Sequence, residues 1–575
     1  MDHHLLQLRL KHHLDFIYPN INHQRYIDDL LNAMALTGEE TPPLPHTNNW
    51  SEKDVYVISY GDSFVSDHQA PLANLDHFLN HYLADSVSGV HILPFYPFSS
   101  DDGFSVIDYY QVNSSCGDWN NINNIAVNFS VMADIVINHC SSRSGWFENF
   151  RQRKHPGLDF FFEASPQQDL SQVIRPRTNT LLREVDTLDG KRHVWCTFSH
   201  DQVDLDFSNP QVLLEFVKIS RFYLEQNINV FRLDAVAFLW KEVGTPCINL
   251  PQTHEIIRLL RLLIEYKNPS AIIITETNIP NKENLSYFGN ANEAHAIYNF
   301  ALPPLLLNTL VTGNCLHLKN WLSAMPPAQP GTTFFNFIAS HDGIGLRPIE
   351  GILNEREIDQ LINTMVGFGG RVSWRSNQGK NKAYEINIAL YDALSGTTKG
   401  PDRHQLSRFI CAHAIMLAIE GIPAIYVHSL LGTQNDYEKV EHSQHNRAIN
   451  RHKWHYPEIQ NKLSDAHSHH HKVFKQLTHL MKVRQQQPAF HPNADQYTLH
   501  IGEHLFAFWR HDRATQQIVV CVNNVTDQFQ DVIISDLNLR ANTHWRDLLS
   551  DTVIDPKQGS MTLRPYQTLW LSHQQ

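Results

Sequence analysis

The run "INVFRLDAVAFLW" (residues 228–240) is nearly all apolar, yet it carries Arg232 and Asp234 two residues apart. Ionised side chains enter such a run only with partners. Three other apolar runs also close on chemistry-bearing residues. "VMADIVINH" (131–139) closes on Asn138-His139, "AIIITET" (271–277) on Thr275-Glu276-Thr277, and "TFFNFIAS" (333–340) is followed by His341-Asp342. Taken singly, each has a bland reading: an aspartate at a strand end is more often a cap or an ion-pair partner, and His139 could be a satisfied core histidine. Asp134 is assigned to hydrogen bonds with neighbouring loops. Taken together, three acids, two histidines and an arginine at the ends of successive strands define one site. Three carboxylates on one rim suit glycosidic chemistry. A retaining mechanism needs an ionised carboxylate as nucleophile and a protonated one as general acid, roughly 5 Å apart. A cation beside one keeps it ionised, while burial and the neighbouring charge keep the other protonated. Arg232 then orients Asp234 as the anion, Glu276 is the acid and later the base, and Asp342 holds sugar hydroxyls and stabilises positive charge in the transition state.

The elements that must position these groups are short and regularly spaced. "DVYVISY" (54–60), "GVHILPF" (89–95) and "IPAIYV" (422–427) join the runs above as β-branched or aromatic strands. Helix-like stretches such as "NPQVLLEFVKISRFYLEQN" (209–227) and "HEIIRLLRLLIEYK" (254–267) lie between them. Strand–helix alternation over this length predicts parallel β/α units closed into a (β/α)8 TIM barrel, with its chemistry at the C-terminal ends of the strands. The expected domains are an N-terminal helical extension (1–50), the barrel (51–490) with long excursions at about 141–207 and 345–400, and a C-terminal all-β domain (491–575). Long irregular insertions in a compact domain are usually functional.

The bulk numbers narrow the partners. The hydrophobic fraction of 42% supports a large core. A formal net charge of -13 argues against nucleic acid and anionic membranes as partners. The seven cysteines show no C-x-x-C spacing, which favours reduced interior thiols and a reducing compartment. The N-terminus lacks a signal peptide's apolar core, and no run of about 18 apolar residues occurs. A cytoplasmic protein acting on small molecules is expected. "HSHHHK" (467–472) could bind metal but reads better as an exposed helix segment, and no metal ligand set or cofactor is expected.

"DIVINH" (134–139), "FRLDAVAF" (231–238), "TET" (275–277) and "ASHDG" (339–343) resemble the four ordered motifs of glycoside hydrolase family 13, the α-amylase superfamily. The resemblance extends from about residue 54 to 575. It implies Asp234 as nucleophile, Glu276 as acid/base and Asp342 as transition-state stabiliser. The finer resemblance is to the sucrose phosphorylase subfamily, through "LPFYPFSSDDGFSVIDYYQV" (93–112), "FLWKEVGTPC" (238–247), "NRAINRHKW" (446–454), "IRPRT" (174–178) and "AYEIN" (383–387). It implies that Asp101 holds the far glucose hydroxyls, that Phe104 stacks on the sugar ring, and that Arg447 pairs with Asp101. His139, Arg232 and His341 complete the glucose pocket. Arg177 and Tyr384 are implied as phosphate-handling residues, with inorganic phosphate a substrate rather than a cofactor. For Arg175 and Arg177 a surface ion pair is the alternative.

Departures from that subfamily gather on the acceptor side. Asn278 stands where a histidine is usual, Phe238 where a tyrosine is usual, and Glu385 where a glutamine is usual, and "GIGLRP" adds Arg347. "TETNIP", "GIGLRP" and the longer chain are more similar to the glucosylglycerate phosphorylase branch. That similarity implies Asn278 and Arg347 as acceptor-binding residues, Arg347 taking a carboxylate in its guanidinium fork. Arg347 could equally pair with Glu350. Sucrose, sucrose 6′-phosphate or glucosylglycerol phosphorolysis, plain α-glucosidase activity, and an inactive barrel serving as a binding module are the competing expectations. The oligomeric state is left open.

Overall fold

Eight short strands close into a parallel barrel in the computed structural model, which describes residues 2–377, 380–539 and 544–573, with backbone only for residues 2, 3, 376, 377, 380 and 381. They are β1 (Tyr56–Ser59), β2 (Gly89–Ile92), β3 (Ser130–Val136), β4 (Ile228–Asp234), β5 (Ile272–Thr275), β6 (Ala296–Tyr298), β7 (Thr333–Asn336) and β8 (Ile422–Tyr426). Each pairs in parallel with the next, and β8 returns to β1. Seven of the eight coincide with the apolar runs read from the sequence. The sixth, "AIY", does not: three residues are too few to show a period. Continuous burial on most strands is what a parallel sheet covered on both faces demands.

The helices around the barrel start where the sequence allows. Helix α3 (Pro210–Glu225) has Pro210 in its first turn and Asn209 as its cap, accepting from the Gln211 N–H at 3.0 Å. Helix α4 (Pro251–Lys267) also begins on proline and buries Ile256, Ile257, Leu260, Leu263 and Ile264. The N-terminal extension is two helices, α1 (Asp2–Ile17) and α2 (His23–Met34). They pack on α4 and α3 respectively, the outer layer beside β4. Leu6, Leu10 and Leu14 are buried there, and the Tyr18 and Tyr26 hydroxyls donate to the Phe207 and Pro210 carbonyls at 2.7 and 2.5 Å.

The first excursion contains an antiparallel hairpin, Leu182–Thr187 with Gly190–Trp195. The second contains a helix (Glu355–Gly367) and a hairpin of strands Arg371–Asn377 and Lys380–Asn387, the latter also paired with Ile344–Gly345 just after β7. Beyond helix α5 (Gln405–Ala418), β8 and helix α6 (His469–Arg484), the chain ends in a six-stranded sheet and a two-stranded sheet. One face of the larger sheet sets Phe506, Phe508, Cys521 and Trp570 into the main core; the other builds a separate core from Leu505, Ala507, Val520, Val522 and Leu571. The "HSHHHK" segment is not the solvated stretch expected. His469, His470 and His471 meet the carbonyls of Gly432, Leu431 and Leu463 at 3.0, 2.6 and 2.7 Å, which ties the start of α6 to the barrel. All seven cysteines are buried and unpaired.

Candidate active site

The C-terminal ends of β4 and β5 bring two of the predicted carboxylates, Asp234 and Glu276, to one buried guanidinium, which Asp134 of β3 also meets. Arg232 is 3% exposed. Its Nη1 contacts Asp134 and lies 2.7 Å from Asp234 Oδ1, and its Nη2 is 3.9 Å from Glu276 Oε1. Asp134 also takes His91 Nε2 at 2.7 Å. This corrects the expectation for Asp134: it points into the barrel as a partner of Arg232, because its alternation on β3 puts it inward. Ala235 follows Asp234 in the left-handed region (φ 52°), and its N–H donates to Glu276 Oε2 at 3.0 Å. Asp234 and Glu276 therefore share one guanidinium and one turn of backbone.

Burial raises the pKa of both carboxyls, opposed by Arg232 and reinforced at Asp234 by the negative charges of Glu276 and Asp134 and at Glu276 by that of Asp342. Two such groups titrate as a pair. Arg232 bonds Asp234 directly and reaches Glu276 only at 3.9 Å, so the pair's single proton belongs on Glu276. Asp342 behaves differently. Burial would raise it, but the guanidinium of Arg447, helped by that of Arg451, holds it well below the usual carboxylate range. Arg447 Nη1 is 2.6 Å from Asp342 Oδ1, with His341 Nε2 at 3.5 Å and Arg451 Nη2 at 3.8 Å. Burial keeps His139 and His341 below the usual imidazole value, hence neutral.

The loop after β2 holds Asp101 and Asp102 at φ 53° and 45°, a region that side chains other than glycine seldom enter and that clusters at functional sites. This geometry presents both carboxylates to Arg451, at 4.0 Å from Asp101 and 2.7 Å from Asp102. Arg447, expected to pair with Asp101, instead makes its close contacts with Asp342 and Glu385. Arg447 lies within a 3-10 turn (Asn446–Asn450) and Arg451 directly follows it, and the reach to the β2 loop falls to the second. Phe104 lies parallel to the His341 ring at 4.9 Å, and its carbonyl takes His139 Nε2 at 3.0 Å. Gln202, from the first excursion, reaches Asp101 at 3.3 Å.

On the opposite side the two excursions meet. The Arg177 guanidinium lies over the rings of Phe198 and Tyr384, at 5.6 and 5.4 Å. The Tyr384 hydroxyl is 3.5 Å from Asn278 Nδ2. Pairing in the second hairpin runs Ser373 to Glu385 and Trp374 to Ala383, so Tyr384 is the extra residue of a β-bulge. The bulge lets adjacent residues both reach the rim, Tyr384 toward Arg177 and Glu385 toward Arg447. Close packing here needs glycine: a Cβ on Gly345 would stand 2.9 Å from the Asn278 amide, and one on Gly343 2.8 Å from Asn387 Oδ1. Arg347 is 8% exposed, its Nε has no partner, and no carboxylate lies within 4 Å among the described residues. Glu350 is not its partner; that carboxylate takes Arg375 at 2.8 Å and Lys382 at 3.0 Å. Among the described residues, no group of three or more His, Cys, Asp or Glu side chains is placed to hold a metal ion.

Sequence reasoning placed Asp234, Glu276, Asp342, Arg232, His139 and His341 together, noted Glu385 only as a departure on the acceptor side, and passed over Asp102, Arg451, His91 and Gln202. The "NR…NR" repeat in 446–451 and the second aspartate of "DDG" were the signals for Arg451 and Asp102.

A parallel barrel with three carboxylates, a buried arginine and a neutral histidine at its C-terminal rim defines a retaining glycoside-active enzyme of the α-amylase class. Residues 80–344 match the α-amylase catalytic domain. The chain is 43% identical over 527 residues to the glucosylglycerate phosphorylase of Escherichia coli (strain K12), covering 91% of this chain and 92% of that protein. It is 42% identical over 539 residues to the glucosylglycerate phosphorylase of Spirochaeta thermophila, covering 92% and 90%. Among solved structures, the sucrose 6F-phosphate phosphorylase from Thermoanaerobacter thermosaccharolyticum superimposes with a TM-score of 0.72 at 24% identity, over 82% of this chain and 94% of that one. The chain belongs to glycoside hydrolase family 13, in the group that contains the glucosylglycerate and sucrose phosphorylases.

Proposed function

We propose that the protein is a retaining α-glucoside phosphorylase that interconverts 2-O-α-D-glucosylglycerate plus phosphate with α-D-glucose 1-phosphate plus D-glycerate. Asp234, held as the anion by Arg232, attacks the anomeric carbon. Glu276 gives its proton to the leaving glycerate oxygen, and a β-glucosyl ester forms on Asp234. Phosphate, placed by Arg177 and Tyr384, then loses a proton to Glu276 and attacks the anomeric carbon, displacing the Asp234 carboxylate and releasing α-glucose 1-phosphate with net retention. Asp342, ionised beside Arg447, faces the positive charge that develops on the sugar. Asp101 and Asp102, steadied by Arg451, hold the far hydroxyls, while Phe104, His139 and His341 shape the glucose seat. No cofactor enters, since phosphate is a co-substrate.

The observation that carries glycerate as the acceptor is Arg347: a buried guanidinium with no carboxylate partner, beside the strand of Tyr384 (Leu346 N–H donates to the Tyr384 carbonyl at 3.0 Å). A small carboxylate completes it as a bidentate pair, and Asn278 supplies an amide for a glycerate hydroxyl. The two relatives above, both glucosylglycerate phosphorylases, support the same reading. No helix among the described residues is long and apolar enough to cross a membrane, and the buried free thiols fit a reducing cytoplasm. The test is phosphate-dependent release of glucose 1-phosphate from glucosylglycerate against sucrose. Arg347→Ala should lower kcat/KM for glucosylglycerate far more than glucose 1-phosphate hydrolysis. Equal use of sucrose, or turnover without phosphate, would overturn the proposal.

A further inference from the structure

Two arginines at the rim are in opposite electrostatic states. Arg347 has no carboxylate partner. Arg447 has two: Glu385 grips its Nε and Nη2 side-on at 2.9 Å each, and Asp342 takes its Nη1 at 2.6 Å. Glu385 is 2% exposed, so its charge is not screened by water. The Arg447 side chain is still 18% exposed, and Asp342 24%, so the guanidinium is within reach of whatever fills the glucose seat. A cluster of one arginine and two carboxylates carries a net charge of -1. Without Glu385 it would be neutral, and a half-satisfied guanidinium would face the same cavity that must exclude phosphate while it accepts a sugar.

We propose that Glu385 is a specificity-determining residue that masks Arg447 as an anion receptor, leaving Arg347 and Arg177 as the seats for the two anionic co-substrates. The argument is one of charge counting within hydrogen-bond distance. Inorganic phosphate and glycerate are small anions, and a buried arginine fork would take either. The glucose side has two such forks, Arg447 and Arg451. Each has a carboxylate within 3 Å: Glu385 and Asp342 on the first, Asp102 on the second. On the acceptor side Arg347 and Arg177 have no carboxylate within 4 Å among the described residues. The bulge at Tyr384 sets this division. It sends the phenol to the acceptor side and the next residue, Glu385, grouped with the acceptor side in the sequence reading, instead to the Arg447 that meets Asp342.

This inference rests on the glucosyl-transfer reading but not on the identity of the acceptor. The test uses hydrolysis of α-glucosyl fluoride, a neutral donor, with sulfate as the anionic probe, in an Arg347→Ala background that removes one acceptor-side seat. Glu385→Gln on that background should strengthen sulfate inhibition at least tenfold and make it competitive with the donor. Should that variant not fold, Glu385→Asp, whose shorter arm cannot keep both 2.9 Å contacts, must show the same shift in smaller measure. Unchanged sulfate inhibition in both variants overturns the inference. Failure of the unmodified enzyme to hydrolyse the fluoride would strike the glucosyl-transfer reading instead.

Discussion

Replacing Arg232 with methionine is the severest test of the electrostatic arrangement, because three carboxylates depend on that one buried cation. Its 2.7 Å contact with Asp234 is a charge-assisted hydrogen bond in a dry setting. Such bonds contribute about 1.5–3 kcal/mol, and at about 1.4 kcal/mol per pH unit that is roughly one to two units in the pKa of the nucleophile. Arg232→Met should move the acidic limb of the kcat/KM profile for glucose 1-phosphate upward by about one to two units, and part of the lost activity should return at higher pH. Stability should fall too, by about 3–5 kcal/mol near neutral pH, since Asp234 loses its cation and Asp134 keeps only His91. The sign with pH follows from Asp134, whose pKa in the folded protein Arg232 and His91 hold below its unfolded value against the effect of burial. Its stabilisation is present above the unfolded pKa and is lost as pH falls through the folded one. The gap between the two proteins in urea unfolding should therefore narrow toward acid. An acidic limb that stays where it is in the variant would refute the role given to Arg232.

Other outcomes follow from the same coordinates. Arg347→Ala should reduce kcat/KM with glycerate as acceptor by about 10- to 150-fold, the loss of one charged pair worth about 1.5–3 kcal/mol, while glycerol is used no worse; acceptor competition assays check this. Arg451→Leu removes the cation facing Asp101 and Asp102 and should depress turnover of every glucosyl donor alike, which a panel of donors would show. Gly345→Ala places a methyl 2.9 Å from the Asn278 amide and should raise KM for glycerate with little change in glucose 1-phosphate hydrolysis. Removing residues 1–22 exposes the apolar face of α4 under Leu6, Leu10 and Leu14. It should lower Tm without altering acceptor preference.

The barrel was legible because its strands are almost continuously buried and therefore mostly apolar, so polar residues at their ends stood out. The same rule failed at β6, where three residues cannot declare a period. Asp234, Glu276 and Asp342 were readable since each interrupts or follows an apolar run. Arg451 was not, because choosing between two arginines four residues apart depends on which way a short turn faces. Glu385 was noticed only as an odd residue; its partner lies 62 positions away in sequence, and nothing local points to it. Asp134 was undervalued because a lone acid within a strand looks like a structural hydrogen bond until the cation opposite it is in view.

The bulge at Tyr384 makes strand length, rather than residue identity, a control on what this barrel binds. Deleting Tyr384, the one residue between Ala383 and Glu385, would restore strict two-fold alternation and take the phenol away while Glu385 keeps its place opposite Ser373. A single in-frame codon deletion would then separate the role of the phenol from that of the neighbouring carboxylate.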